Sequence, residues 1–424
     1  MPIEALQSFL LSLLEQIPED TEPRVIVVKP DIPAPSPVRP NGNQTRQKAS
    51  AYDPKLVFVL ELATILAQRD AETTEALGKE VADALRSIIR DAPKHHYVVI
   101  SRAVQYLLSL LIASDDYDFI RAPVVLHTIS SFDEDLLKRS ALPLLKGLSD
   151  CITGPVGLRN EIATTPDFWS ILHSLHAIPE AAPKVFEIVE ILVAESISAD
   201  NYEAAMSLLN DFATAGSIGA QNEQGRDQAA RKNRQSKPPR PQNSEVVHRA
   251  VKAVNVVYQM TQRVPKFIEH SQLEQNEAWA AYWSPIFRTL TRQCLNPCRE
   301  VRTQAFSSLQ RSLLSNDLAS TDHQEWTAIF SEVLFPLITQ LLKPEIYKTD
   351  PVGMSVTREE AARLLCKVFL HYLVLLTQWE GMVELWARIL GVMDRLMNSG
   401  QGEHLVSSLH FPPLQIFGIM HAKL

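Results

Sequence analysis

Four amphipathic helical segments in succession, between Asn296 and Asn398, constrain this chain more than any other feature. The first opens with Asn296-Pro297-Cys298-Arg299-Glu300-Val301-Arg302, where Asn296 suits a capping position and Pro297 a first helical position. Val301, Ala305, Leu309 and Leu313 then recur every four residues beside Phe306, so one face is expected to pack. Arg302, Gln304, Ser308 and Arg311 fall mostly off that stripe and are expected to meet water. The second segment carries Trp326, Ile329, Phe330, Val333, Leu334, Leu337 and Leu341, with Pro336 expected to kink it or split it. After a predicted loop from Lys343 to Val356, Thr357 and Glu360 have the spacing of a capping box, and Leu364, Leu365, Val368, Phe369, Tyr372 and Leu373 continue the helical pattern. The last segment uses Met382, Leu385, Trp386, Ile389, Leu390, Met393, Leu396 and Met397, and ends near Asn398-Ser399-Gly400. Short helices are marginal alone in water, so these need one another's apolar faces. A stack of helices meets that need.

The order Val-Arg-x-x-Ala-x-x-x-Leu at Val301 to Leu309 is similar to the second helix of a HEAT-type repeat, whose small Ala lets neighbouring helices approach. Helical spacing also runs through the first half. Ile3 to Ile17 reads as a short amphipathic helix, followed by Pro30, Pro33, Pro35, Pro37 and Pro40 in a tract that cannot continue one. Leu56, Val57, Leu60, Ala63 and Leu66 form a packing face, Leu77, Val81, Ala84, Leu85 and Ile88 another, and Val98 to Ile112 is apolar all round, as in an inner helix. Prolines divide the rest into short helical units through Gly216 with no strict period. The 14 glycines against 27 prolines favour helices joined by proline-punctuated turns over glycine-rich hairpins. The fold class expected is therefore all-α, a HEAT/armadillo-like helical solenoid in two blocks. Residues 1–51 hold the short helix and proline-rich linker, 52–216 the first block, 217–244 a disordered basic linker, 245–398 the second block and 399–424 a divergent tail.

The basic linker is distinctive: Arg226, Arg231, Lys232, Arg234, Lys237 and Arg240 alternate with Gln, Asn and Pro, and large apolar residues are missing. These six are the candidate contacts for anionic lipid, a nucleic acid or an acidic partner, at about 1 kcal/mol per basic residue near an anionic surface. A solvated linker is the simpler reading of the same residues. With 46% hydrophobic and 21% charged residues the chain has the means to fill and solubilise a core, while a net charge of −8 argues against a nucleic-acid partner along the body.

At Asp53-Pro54-Lys55-Leu56-Val57-Phe58-Val59-Leu60, Ala278-Trp279-Ala280-Ala281-Tyr282-Trp283-Ser284-Pro285 and Arg299-Glu300-Val301-Arg302-Thr303-Gln304-Ala305, the chain resembles the large Golgi-type Arf guanine-nucleotide exchange factors of the GBF/Gea branch. Val333-Leu334-Phe335-Pro336-Leu337, Lys367-Val368-Phe369-Leu370 and Leu385-Trp386-Ala387-Arg388-Ile389-Leu390 extend the resemblance in the same order, so that it covers about Asp53 to Asn398. It falls in the region those proteins carry downstream of their catalytic Sec-seven module. No stretch here resembles that module's Phe-Arg-Leu-Pro-Gly-Glu signature. The resemblance implies a regulatory and targeting region without exchange chemistry. It implies as well a place in ER–Golgi vesicle transport, a cytoplasmic location peripheral to Golgi membranes, and small GTPases and other trafficking proteins as partners. Two departures stand out: the chain begins with its own Met well inside the family's length, as a truncated gene model or a genuine short product would, and residues 403–424 do not follow the family's pattern. A free-standing helical scaffold or adaptor, unrelated to nucleotide exchange, is the competing reading.

Local signals add no chemistry. Cys294-x-x-x-Cys298 lacks the second ligand pair that structural zinc needs, His173 with His176 lacks a carboxylate or thiolate nearby in sequence, and His95-His96 reads as a helix-end or turn feature. The cysteines Cys151, Cys294, Cys298 and Cys366 are scattered as reduced thiols rather than spaced as a disulfide framework. There is no glycine-rich phosphate loop or nucleophile elbow, so no catalytic residue, cofactor site or metal site is expected. Trp279, Trp283, Trp326, Trp379 and Trp386 sit at helical spacing and are expected mostly in the core.

Overall fold

The computed structural model describes residues 3–17, 52–114, 117–221, 241–271, 273–315 and 323–398. Among them every regular element is helical, which meets the all-α expectation, and the chain divides into two compact units, Met1–Asn201 and Tyr202–Leu424. The proline-rich linker, the basic residues Arg226, Arg231, Lys232, Arg234, Lys237 and Arg240, and the tail from 399 onward lie outside the described residues.

The first unit begins with α1 (Ile3–Leu14), which buries Leu6 and Leu10 against α2 (Pro54–Ala67) and α3 (Ala71–Arg90). Both longer helices start where side-chain chemistry dictates. Asp53 accepts from the amides of Lys55 and Leu56 ahead of Pro54, and Asp70 accepts from the amide and hydroxyl of Thr73. Leu77, Val81, Leu85 and Ile88 then place one face of α3 in the core. The apolar α4 (Tyr97–Ala113) is an inner helix, packed on α2, α3, α5 (Ala122–Ser130) and α7 (Ala141–Thr153). Between them runs α6 (Glu134–Arg139), and the unit ends with α8 (Val156–Thr164), α9 (Pro166–Leu175) and α10 (Ala182–Glu195), each against its neighbours in chain order.

The second unit starts with α11 (Tyr202–Ala215), a helix that sequence periodicity groups with the first block. It joins the second because its apolar face lies along α12 (Pro241–Met260), and α12 lies in turn on α16 (Arg299–Leu313). A 3₁₀ turn at Gly216–Gly219 is wedged between them. A side chain at Gly216 would meet the Cβ of Ala250 at 2.5 Å and Cγ2 of Val301 at 2.8 Å, so only glycine fits this approach. Short helices α13 (Val264–His270) and α14 (Gln275–Ala278) lead to α15 (Ser284–Gln293), which packs on α11, α12 and α16. Then follow α17 (His323–Ala328), α18 (Phe335–Leu341), α19 (Pro344–Thr349), the long α20 (Pro351–Leu376) and α21 (Met382–Met397).

Two π-helical turns interrupt this unit, at Trp279–Trp283 and Ile329–Leu334, each just before a proline-bearing helix. The amide of Ser284, immediately before Pro285, reaches back five residues to the Trp279 carbonyl, and that of Phe335, before Pro336, reaches the Phe330 carbonyl. A proline ring inside an α-helix clashes with the carbonyl four residues earlier, and the wider turn relieves that clash. Pro336 therefore loosens its helix by one wide turn instead of breaking it.

Two expectations change. The predicted loop from Lys343 to Val356 holds α19 and the first turn of α20, whose cap is Asp350, so Thr357 is a buried mid-helix residue and not a cap. Arg302 and Ser308, expected to meet water, are 3% and 0% exposed because α16 is covered on more than one side, by α12, α15 and α20. Asn296 does accept from the Cys298 amide at 2.9 Å, but the helix itself begins at Arg299.

Candidate functional site

The strongest concentration of buried charge lies where α16 and α20 begin. The Asp350 carboxylate accepts from Arg299 at Nε (2.7 Å) and a terminal nitrogen (2.6 Å), from Arg302 at 2.6 Å, and from the Gly353 amide at 3.1 Å. Arg302 spends its remaining donors on the Thr357 hydroxyl (2.9 Å) and on the carbonyls of Asn296 (2.6 Å) and Pro297 (3.2 Å). The polar atoms of a buried guanidinium are thus matched, the condition under which such a group is tolerated inside a protein. Burial by itself pushes the Asp350 carboxyl up, but the hydrogen bonds from Arg299, Arg302 and Gly353 outweigh it and hold it at about 2. A side chain at Gly353 would overlap both the Asp350 carboxylate and the Arg302 guanidinium, so the helix start approaches this closely only with glycine there. The network ties three separate stretches of chain, the Asn296-Pro297 turn, α16 and α20, into one joint.

Above that joint, Ser244, His248, Val251, Arg299, Glu300, Thr303 and Gln304 line a cleft of about 510 Å³ between α12 and α16. In the first unit, α2, α4 and α7 enclose a groove of about 290 Å³ bordered by Glu61, Gln68, Arg102, Tyr106, Lys146 and Asp150. There Gln68 and Ser109 bond each other at 3.0 Å, and burial followed by the nearby Glu61 carboxylate pushes the Tyr106 hydroxyl up to about 12, leaving it a neutral donor at physiological pH. Phe58 and Ile65 on the same helix are 63% and 60% exposed. Mixed charge, neutral donors and exposed apolar groups suit protein recognition.

Residues singled out by spacing have structural roles. Cys294 is fully buried; burial, with the Glu360 charge next, drives its thiol well above the ordinary value, and Cys151 is pushed up to about 12. Neither is poised as a thiolate. Cys298 packs beside Gly219. The His173 and His176 rings lie 4.9 Å apart near the end of α9, and among the described residues no group of His, Cys, Asp and Glu is arranged to hold a metal. His96 caps α4 by accepting from Val98 at 3.3 Å. Trp279, Trp283 and Trp326 are buried; Trp279 stacks on Phe287 and donates to Glu332 at 3.0 Å. Trp386 stacks on Phe369 at 5.0 Å and is only half-buried. No helix of the described residues is long and apolar enough to cross a membrane.

Asp350 was not among the residues that spacing singles out. Asp350-Pro351 is nevertheless a helix-start signature, and Arg302 falls three and seven residues before the buried Ala305 and Leu309, on their face.

Comparison with known proteins places these features. A family described as the GBF1-like tetratrico peptide repeat region matches residues 283–410, which include the joint. The ARF guanine-nucleotide exchange factor 1 of Saccharomyces cerevisiae is 24% identical over 86% of the chain and 25% of its own length. A Golgi-specific brefeldin A-resistance guanine nucleotide exchange factor 1 homolog from Caenorhabditis elegans is 34% identical over 28% of the chain and 6% of its own length, and GNOM of Arabidopsis thaliana is 32% identical over 27% and 8%. The chain thus spans at most about a quarter of the length of these relatives. Over these stretches it is similar to a region of the Golgi-type Arf guanine-nucleotide exchange factors.

Proposed function

We propose that this chain is a non-catalytic regulatory and membrane-targeting region related to an Arf guanine-nucleotide exchange factor, acting in ER–Golgi vesicle transport from the cytoplasmic side of Golgi membranes. The observation that supports the proposal is a coincidence: the similarity to the yeast exchange factor runs through most of the chain, and the described helices carry grooves lined by charges of both signs. A helical array of this kind holds its grooves rigidly, which lowers the entropy lost when a partner binds. Partners of the small-GTPase class, and other proteins of the trafficking machinery, fit the mixed-charge groove between α2, α4 and α7 better than a nucleic acid does, since Glu61 and Asp150 offset Arg102 and Lys146.

The direct test is nucleotide release from an Arf GTPase with the purified chain added in trans. The expected result is an unchanged intrinsic rate; concentration-dependent acceleration would sink the non-catalytic reading. A fluorescently tagged chain is expected to concentrate on Golgi membranes in cells, and a uniform cytoplasmic signal counts against targeting.

A further inference from the structure

The face shared by α2, α4 and α7 sorts its charges along the helices. All three start at one edge: the Tyr52 ring lies 5.9 Å from that of His96, the Arg139 guanidinium 5.7 Å from the Tyr97 ring, and the Ser101 hydroxyl 2.8 Å from that of Ser140. Arg102 and Lys146 then stand in the second turns of α4 and α7, while Glu61 and Asp150 stand in the third turns of α2 and α7. From Lys146 to Asp150 the helix advances about 6 Å. Positive charge therefore lies towards the helix starts and negative charge towards their ends.

The two signs are not equally available. The Tyr106 hydroxyl is bonded to the Glu61 carboxylate, which occupies the acid on α2. Arg102 and Lys146 are exposed, and among the described residues neither has an ion-pair partner; Arg102 reaches only the side-chain oxygen of Gln105, at 3.3 Å. Apolar ridges flank these cations. Phe58 and Ile65 stand exposed seven residues apart on α2, and Leu142, four residues before Lys146 on α7, is 55% exposed. Anchors at that spacing beside a groove suit a helix laid along it. Charge complementarity then selects a helix with carboxylates beside its apolar face. A bilayer is a poorer match, because the groove of about 290 Å³ is recessed between helices and the Glu61 and Asp150 carboxylates on its walls repel anionic head groups.

We propose that the groove between α2, α4 and α7 receives an acidic amphipathic helix of a partner protein, its apolar side against Phe58, Ile65 and Leu142 and its carboxylates against Arg102 and Lys146. This rests on the proposed role of the groove as a partner surface and gives the partner's charge a sign.

Two synthetic helical peptides serve as probes, alike in a face of leucines and differing only in glutamate or lysine beside it. The full chain is expected to bind the glutamate peptide about tenfold more tightly at low salt. Its net charge of −8 favours the lysine peptide, so the preference comes from the groove and not from the chain at large. Arg102→Glu combined with Lys146→Glu should invert the preference, and both sites are exposed, so the core stays intact. Ile65→Ser should weaken both peptides, and Lys79→Glu, on the exposed side of α3, should change neither. Absence of binding, equal binding, or a preference that survives the double variant overturns the proposal. So does a full-chain dimer dissociated by the double variant, which assigns the face to a second copy, or binding to phosphatidylcholine–phosphatidylserine vesicles that the double variant abolishes, which assigns it to a membrane. Loss of the peptide preference with Golgi localisation intact rejects the acidic helix alone; the preference with a uniform cytoplasmic signal rejects the targeting role alone.

Discussion

Asp350 is a residue whose surroundings decide its charge. Its carboxyl is held at about 2 against an ordinary 3.8, so the stabilisation from its two arginines is complete above the unfolded value and is lost as pH falls from about 4 towards 2. Acid titration of the wild type should therefore show a loss of about 2 kcal/mol in that window that Asp350→Asn lacks. Asp350→Ala leaves Arg302 buried without its counter-charge, and chemical denaturation is expected to show about 3–5 kcal/mol of destabilisation at neutral pH. Arg302→Lys should not rescue, since one ammonium cannot bond Thr357, Asp350 and two carbonyls that lie in different directions. Little of this joint was legible in the sequence. Periodicity marks apolar residues, and a buried arginine counts as polar in any such pattern, however well its donors are matched. Asp350 was hidden because the neighbouring Thr357-x-x-Glu360 offers the same capping spacing; with the helix started at Asp350, the Thr357 hydroxyl instead accepts from Arg302 and donates to the Gly353 carbonyl.

At the scale of the element, apolar spacing was a sound guide wherever one face meets the core. Val301, Ala305, Leu309 and Leu313 are all fully buried, as their four-residue recurrence implies. Ala305→Glu should accordingly cost more than about 3 kcal/mol, measured by thermal or denaturant unfolding, because the carboxylate would enter a dry interface. An unshifted transition would contradict the packing of α16. The amphipathic spacing of Ile3 to Ile17 likewise appears in the structure as α1, which buries Leu6 and Leu10, and Leu10→Asp should release that helix from α2 and α3, seen as faster amide exchange over Ile3–Leu14. Spacing did not find the π turns, since a period of 3.6 has no term for one wider turn. Their signal was the proline that follows each of them.

For the whole molecule, the assignment of α11 to the second unit illustrates why boundaries resist reading from composition. The basic stretch looks like a divider, yet the helix before it and the helix after it pack directly on each other. Arg226, Arg231, Lys232, Arg234, Lys237 and Arg240 fall in sequence between those two helices. As a lipid contact, these six should give binding to anionic vesicles that fades as salt rises from about 50 to 500 mM, since the screening length shortens towards a few ångströms. Replacing the six by serine should abolish it in a flotation assay, and salt-independent binding would assign the contact elsewhere.

The two wide turns carry a consequence for tolerance to change in length. Each turn and the proline behind it are a matched pair: shortening Ile329–Leu334 by one residue alone drives the Pro336 ring into the preceding carbonyl, and replacing Pro336 by alanine alone leaves a loose coil with nothing to accommodate. Made together, the two edits return an ordinary helix, so a deletion that is harmful singly becomes neutral in company, and the same reciprocity holds for Trp279–Trp283 with Pro285.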